Sequence, residues 1–250
     1  MTLSDFFHEH PSFALAFSGG TDSSYLLYAA VKAGCAVSPY FLRSQLQPAF
    51  ELDDAERLCA VAGVRLNVLE ADALSDPGVA ANGPERCYHC KKRLFGLLCE
   101  RAARDGFSVV CDGTNASDDV SDRPGYRALA EYGVLSPLRL CGITKTEVRR
   151  LSREAGLFTA QKPSYACLAT RVRTGERLTA ETLGKIEAAE TALFSLGYTD
   201  LRVRVSGNEA LLQLPAPQLA RALSQWDEAE ALLLRYFAAA RLDRTPRRSD

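Results

Sequence analysis

In the first half of the chain, short apolar runs alternate with longer segments in which apolar residues recur at helical spacing. The short runs predict strands over residues 13–17, 37–42, 65–69 and 108–111. The longer segments predict helices over residues 23–33, 50–62 and 85–104. Strands that alternate with helices are typical of βαβ units, whose crossovers build parallel sheets. The pattern therefore predicts an α/β fold with a doubly wound parallel sheet.

The pattern changes in the last third of the chain. An amphipathic helix is predicted over residues 179–196, and the alternating residues 201–205 predict a strand with a candidate hairpin partner over residues 210–214. Helices and strands segregated in this way indicate a small α+β domain. We therefore expect a main domain over residues 1–172 and a small C-terminal domain over residues 173–250.

Composition and charge narrow the class of protein. The 250 residues are 47% hydrophobic and 24% charged, which is ordinary for a globular protein. The 30 Lys and Arg residues face 31 Asp and Glu residues. Because the formal net charge is −1, no overall positive field is available to hold a polyanion, and this argues against a nucleic-acid partner.

The cellular compartment bears on the chemistry of the cysteines. No run reaches the roughly 18 consecutive apolar residues that a membrane span requires. The first residues lack the basic and apolar regions of a signal peptide, so we expect a cytoplasmic protein without a membrane partner. In a reducing compartment, the eight cysteines are expected to be thiols or metal ligands rather than disulfides.

Residues 16–24, AFSGGTDSS, join the first predicted strand to the first predicted helix. Gly19 and Gly20 permit a tight turn that exposes backbone amides, and the N-terminus of the helix adds positive potential. The Ser18 and Ser23 hydroxyls can donate to phosphate oxygens, whereas Asp22 fits beside phosphate when Mg²⁺ lies between them. The segment therefore predicts a phosphate site with Mg²⁺. An ordinary strand-to-helix turn is the alternative.

The Ser-Gly-Gly-x-Asp-Ser pattern resembles the pyrophosphate-loop (PP-loop) ATPases, which have an adenine nucleotide alpha hydrolase-like fold and cleave ATP to AMP and pyrophosphate. The segment lacks the Lys of the GxxxxGK[ST] loop, which disfavours a kinase or GTPase. Six further segments occur in the same order in the LarE family: RCYHCK at 86–91, DGTN at 112–115, SPL at 136–138, GITK at 142–145, KP at 162–163 and ACLATR at 166–171. The resemblance covers residues from about 13 to 214.

LarE enzymes are ATP-dependent sulfur transferases that act in the biosynthesis of a nickel-pincer cofactor. They convert a small nucleotide substrate, pyridinium-3,5-biscarboxylic acid mononucleotide, into its thiocarboxylate, with sulfide as the sulfur source in one subgroup. The resemblance implies ATP, Mg²⁺, a sulfide donor and a homo-oligomer. It places a nucleotide site at Ser18, Gly19, Gly20, Asp22, Ser23 and Asn115. It places the substrate site at Arg171, Arg202 and Arg204.

Physical reasoning supports two of these arginines. Arg202 and Arg204 lie two apart on a predicted strand and so share a face, where two guanidinium groups can form a fork for carboxylate or phosphate. Solvation of an outer face is the alternative. The family often has His and Glu after these arginines, where this chain has Ser206 and Gln213.

The cysteine spacing bears on the source of sulfur. Cys167 lies in the ACLATR segment, and in one LarE subgroup the matching cysteine gives up its own sulfur. Another subgroup has two further cysteines and binds a [4Fe-4S] cluster through three thiolates, and this chain has that extra pair, Cys87 and Cys90. Three soft ligands suit iron and sulfur and leave one iron open. The resemblance therefore implies a cluster on Cys87, Cys90 and Cys167, with a redox pair or half a zinc site as alternatives for Cys87 and Cys90.

Two other functions stay open at this point. A tRNA-thiolating enzyme of the same superfamily is one, although the neutral net charge argues against it. A non-catalytic nucleotide or metal sensor is the other, and it would bind ATP without releasing pyrophosphate.

Overall fold

In the computed structural model, which describes residues 1–119 and 124–247, the chain divides into two compact units. The first unit contains Met1–Ser44, Ala49–Asp76 and Cys87–Lys162. The second contains Gln45–Pro48, Pro77–Arg86 and Pro163–Asp250. The domain boundary expected between residues 172 and 173 stays a prediction.

A parallel four-stranded sheet lies in the first unit. Its strands are β1 (Ser12–Ala16), β2 (Ala36–Arg43), β3 (Asn67–Glu70) and β4 (Val110–Cys111). Their order across the sheet is β3-β2-β1-β4, and every pairing is parallel. Since the connections leave β1 in both directions, the sheet is doubly wound, and the predicted fold class is confirmed.

Helices connect these strands, and the predicted ones begin and end within a few residues of their observed bounds. Those of the first unit are α1 (Leu3–Glu9), α2 (Thr21–Lys32), α3 (Ala49–Ala62), α6 (Pro124–Glu131), α7 (Pro137–Leu140), α8 (Lys145–Glu154) and, from its second residue on, α5 (Arg86–Arg104). The short helix α4 (Pro77–Ala80) belongs to the second unit. No helix in the described ranges is long and apolar enough to cross a membrane.

The core of the first unit lies on both faces of β1. Phe13 and Leu15 pack on one side with Leu26 and Phe41, whereas Ala14 packs on the other side with Leu98. A strand that is buried on both faces reads as a continuous apolar run, which is why β1 could be predicted from sequence.

The second unit contains a three-stranded sheet and its helices. The strands are β5 (Arg202–Ser206), β6 (Glu209–Gln213) and β7 (Ala239–Leu242), and the helices are α9 (Ala180–Ser195), α10 (Ala216–Ser224) and α11 (Trp226–Leu233). β5 and β6 form the predicted antiparallel hairpin, in which Arg202 lies opposite Gln213. The parallel strand β7 is an addition that the sequence pattern did not indicate.

Candidate functional site

The loop between β1 and α2 requires glycine at its tightest point. Gly19 has a φ of +67°, and a Cβ built there would lie 3.0 Å from the backbone N of Ala55 and 3.0 Å from the carbonyl oxygen of Glu51. The loop backbone therefore passes directly against α3, with no room for a side chain.

A Gly19→Ala variant is expected to lose nucleotide binding and about 2–4 kcal/mol of stability, because the left-handed backbone strain and the overlap with α3 add together. Gly34→Ala is the matched control, since Gly34 has a φ of +80° but nothing within 4 Å of the added Cβ. It should lose only about 1–2 kcal/mol and keep nucleotide binding. Urea unfolding measures the stability of both variants, and calorimetric titration measures their affinity for ATP. Equal losses of stability in the two variants would contradict the crowding at Gly19.

Hydroxyl groups gather at the start of α2. The Oγ atoms of Ser18 and Ser23 lie 3.2 Å apart, and the backbone N of Gly20 donates to Ser18 Oγ at 3.3 Å. Gly20 is the N-cap of α2, and no side chain caps this helix end. A helix N-terminus without a side-chain cap, next to two hydroxyls, is suited to bind an anion.

Asp22 lies in the first turn of α2 and joins two other parts of the first unit. Its Oδ2 lies 2.6 Å from Lys145 Nζ, and its Oδ1 accepts from Asn115 Nδ2 at 3.3 Å. The structure thus brings together two of the predicted site residues, Asp22 and Asn115, and adds Lys145, which sequence reasoning did not single out. Carboxylate oxygens are ligands that Mg²⁺ prefers, so Asp22 is the candidate ligand for a divalent cation at this loop.

A second lysine lies at the loop. Lys162 Nζ lies 2.6 Å from Asp54 Oδ2 and donates to the Gly19 carbonyl oxygen at 3.4 Å. Lys162 was also missed as a site residue, although both lysines belong to segments that carry the LarE resemblance. Two ammonium groups beside a glycine loop provide positive charge for phosphate.

Residues after β4 complete this part of the site. A Cβ on Gly113 would lie 2.9 Å from Ser23 N, so the chain after β4 closely approaches the start of α2. Asp112 is buried, and its Oδ1 accepts from Ser136 Oγ at 2.7 Å and from Thr114 N at 3.2 Å. Because β1 pairs with β2 on one side and β4 on the other, these loops lie at the topological switch point, where doubly wound sheets bind ligands.

The cysteines fall into two groups. Cys87 is exposed and Cys90 half-buried, and the two lie three residues apart at the start of α5, where residues of this spacing are neighbours on the helix surface. In contrast, burial raises the pKa of the thiols of Cys35, Cys59, Cys99, Cys111 and Cys141. For Cys59 the pKa rises to about 12. Burial therefore disfavours the thiolate form, which binds metals, in these five residues.

Cys167 lies in the second unit, at the N-cap of the short helix Leu168–Arg171, and is half-buried. Within residues 1–119 and 124–247, no group of three or more His, Cys, Asp and Glu residues is placed to hold a metal ion. Cys87 and Cys90 thus lie on one helix of the first unit, whereas Cys167 belongs to the second unit.

Arg171 holds the segment that contains Cys167. It is buried, its Nε lies 3.0 Å from Glu190 Oε1, and its Nη2 donates to Glu190 Oε2 at 3.2 Å. Its Nη1 donates to the carbonyl oxygens of Ala166 at 2.6 Å and Cys167 at 3.3 Å. All three guanidinium nitrogens are therefore engaged within the second unit, and the predicted contact with substrate stays a prediction.

Arg202 and Arg204 line one cavity of about 420 Å³, together with Ala166, Thr170, Arg171, Gln213 and Arg247. Arg202 is only 7% exposed. Desolvation, followed by the neighbouring charge of Arg171, lowers the Arg202 pKa to about 10. The two arginines share one cavity, as their spacing on β5 predicts, and the cavity borders the residue before Cys167.

The two positions that depart from the family pattern have defined partners. Ser206 Oγ donates to Glu176 Oε1 at 2.6 Å. Gln213 Oε1 accepts from Arg204 Nε at 2.7 Å, and Gln213 Nε2 donates to Asp243 Oδ2 at 2.7 Å. Gln213 therefore orients Arg204 at the wall of the cavity.

Comparison with models of protein families gives no match. Among curated proteins, the chain is 33% identical over 207 residues to the pyridinium-3,5-bisthiocarboxylic acid mononucleotide synthase of Lactiplantibacillus plantarum. The aligned region covers 82% of this chain and 75% of that protein. The chain is 36% identical over 224 residues to an uncharacterized protein of Synechocystis sp., covering 87% and 81%. It is 25% identical over 191 residues to the tRNA-specific 2-thiouridylase MnmA of Thermotoga petrophila, covering 59% and 53%.

Proposed function

We propose, since this chain belongs to the LarE family of pyridinium-3,5-bisthiocarboxylic acid mononucleotide synthases, that it is an ATP-dependent sulfurtransferase. Its substrate is pyridinium-3,5-biscarboxylic acid mononucleotide, and the product is the thiocarboxylate. The observation that carries this proposal is the loop at the switch point, where the uncapped start of α2, Asp22 and Lys145 meet.

The first step activates the substrate. A carboxylate oxygen attacks the α-phosphorus of ATP, the bond to the pyrophosphate oxygen breaks, and an acyl-adenylate forms. Ser18, Gly19, Gly20 and Ser23 bind the phosphates through amides and hydroxyls, as helix N-termini do for anions. Asp22 would hold Mg²⁺, which neutralises phosphate charge when bound, and Asn115 orients the Asp22 carboxylate.

Lysine charge assists this step. Lys145 pairs with the Asp22 carboxylate, and Lys162 pairs with the Asp54 carboxylate. A phosphate group at the loop gives each ammonium a second anionic partner, which stabilises the negative charge that develops on the leaving pyrophosphate.

The second step transfers sulfur. A sulfide sulfur attacks the acyl carbon of the adenylate, the carbon–oxygen bond to AMP breaks, and a thiocarboxylate results. Arg202 and Arg204 hold an anionic group of the substrate in the cavity beside the Cys167 segment. Arg171, buried against Glu190, keeps this segment in place through the Ala166 and Cys167 carbonyls.

Cys87, Cys90 and Cys167 would ligate a [4Fe-4S] cluster. The donor set suits this group, because Cys87 and Cys90 are neighbours at the start of α5 and burial disfavours the thiolate form at the other five cysteines. When bound, a cluster with three protein ligands supplies an open iron that can carry sulfide for repeated transfer.

Product analysis tests the proposal. With ATP, substrate and sulfide, one AMP and one pyrophosphate should form for each thiocarboxylate. ADP and inorganic phosphate in place of AMP and pyrophosphate would exclude adenylation. ATP binding without any cleavage in the presence of substrate would indicate a nucleotide sensor.

The likeness to MnmA supports a second candidate, thiolation of tRNA. Filter binding with bulk tRNA at two salt concentrations tests it, because a tRNA complex should weaken steeply as salt increases. A sulfurtransferase that acts on a mononucleotide should bind no tRNA, or bind it with an affinity that does not change with salt concentration.

A further inference from the structure

Arginine side chains make up more than half of the lining of the cavity beside the Cys167 segment. Four arginines line it: Arg171, Arg202, Arg204 and Arg247. Two carboxylates pair with them, Glu190 with Arg171 and Asp200 with Arg247. Since Arg171 is fully engaged by Glu190 and backbone carbonyls, the arginines that can bind a ligand in this cavity are Arg202, Arg204 and Arg247.

Arg247 is held in place at this cavity by its backbone and side chain. Its backbone N donates to the Leu214 carbonyl oxygen at 2.9 Å, which fixes the C-terminal segment alongside the end of β6. Its Nη1 donates to the Asp200 carbonyl oxygen at 2.8 Å and also to the Asp200 carboxylate. The side chain is 13% exposed. Nη1 therefore anchors Arg247, whereas its Nε and Nη2 make no hydrogen bond to residues 1–119 and 124–247, which the structure describes.

Asp200 has an unusual backbone conformation at the centre of this arrangement. Its φ is +49°, in the left-handed region that favours glycine. Such conformations persist where the surrounding contacts determine them, and they concentrate at functional sites. Asp200 Oδ1 lies 3.8 Å from Arg202 Nη1 and also pairs with Arg247, so this carboxylate sets the spacing of the two arginines.

We propose that Arg247 is a third anion-binding arginine of this cavity, which acts with Arg202 and Arg204 to bind a phosphate monoester. Three guanidinium groups that line one cavity suit a phosphate monoester, whose oxygens accept charge-assisted hydrogen bonds. The identification of this monoester as the phosphate of the mononucleotide substrate rests on the proposed function. Nothing in the sequence pattern indicated Arg247, which lies 43 residues after Arg204 and outside the region of LarE resemblance.

Calorimetric binding of the mononucleotide and of its dephosphorylated nucleoside tests the proposal in the full chain. Arg247→Gln should weaken mononucleotide binding about 10- to 100-fold, the range for loss of a charge-assisted hydrogen bond, and leave nucleoside binding unchanged. Arg247→Lys keeps the charge, so its affinity for the mononucleotide should lie between those of the parent chain and of Arg247→Gln. Arg244→Gln is the matched control, since Arg244 lies on the same segment but does not line this cavity, and it should change binding less than about twofold.

The outcomes separate this proposal from the proposed function. Equal weakening of nucleoside and mononucleotide would assign Arg247 a purely structural role, and unchanged binding in Arg247→Gln would also overturn the proposal. Inorganic phosphate is the second probe, and its binding should show the same dependence on Arg247. If phosphate binding depends on Arg247 but no thiocarboxylate forms, the proposed function fails and the anion site stands. If neither phosphate nor mononucleotide binds, the anion site fails.

Discussion

A Cys87→Ser variant should lose its bound iron and all repeated sulfur transfer, while ATP binding stays unchanged. The proposed cluster has Cys87, Cys90 and Cys167 as its ligands, and serine is a poor ligand for iron in such clusters. The parent chain purified without oxygen should contain about four irons, and the variant should contain almost none. Turnover with excess sulfide should fall from many thiocarboxylates per chain to at most one.

The matched control for this prediction lies on the same helix. Cys99 is also on α5, and burial raises the pKa of its thiol, so Cys99→Ser should keep iron and turnover. Iron and acid-labile sulfide analysis, a visible spectrum and product counts under single and multiple turnover measure the effect. Full turnover in Cys87→Ser would contradict the cluster. Loss of one sulfur atom from Cys167 after a single reaction, seen by intact mass, would identify a sacrificial cysteine.

The sequence predicted the sheet of the first unit because each strand had a strong local signal. β1 and β2 are buried on both faces, so they read as apolar runs, and the glycine loop between β1 and α2 has its own composition. β7 was missed because its residues, AARL, lack the β-branched pattern of a strand. Its pairing with β6 comes from tertiary context that no local window contains.

The candidate site was predictable where its residues belong to one segment, and less so where they come from distant segments. Ser18, Gly19, Gly20, Asp22 and Ser23 follow one another in the chain. The partner of Asp22, Lys145, lies 123 residues away, and a lysine on a predicted helix is ordinarily solvated. Glu190 was missed for the same reason, since acidic residues in amphipathic helices are mostly exposed, yet this one is 1% exposed.

Glu190→Gln is expected to destabilise the chain by about 3–5 kcal/mol, because it removes one partner of a buried ion pair and leaves the Arg171 charge without compensation. Glu190 also accepts from Tyr165 Oη and, at 2.8 Å, from Val203 N, so α9, β5 and the Cys167 segment all depend on it. A matched control uses the same substitution on the same helix. Glu181 pairs with Lys185 at 2.6 Å, but both side chains are exposed.

Glu181→Gln should therefore cost no more than about 0.5 kcal/mol. Urea unfolding measures both free energies, and a difference of less than about 1 kcal/mol between the two variants would contradict the buried pairing, given the usual cost of such a loss. The Glu190→Gln substitution should also affect sulfur transfer. Arg171 reaches the Ala166 and Cys167 carbonyls only while Glu190 holds its guanidinium, so the Glu190 variant should transfer sulfur slowly even below its unfolding transition, while its nucleotide loop in the first unit still binds ATP.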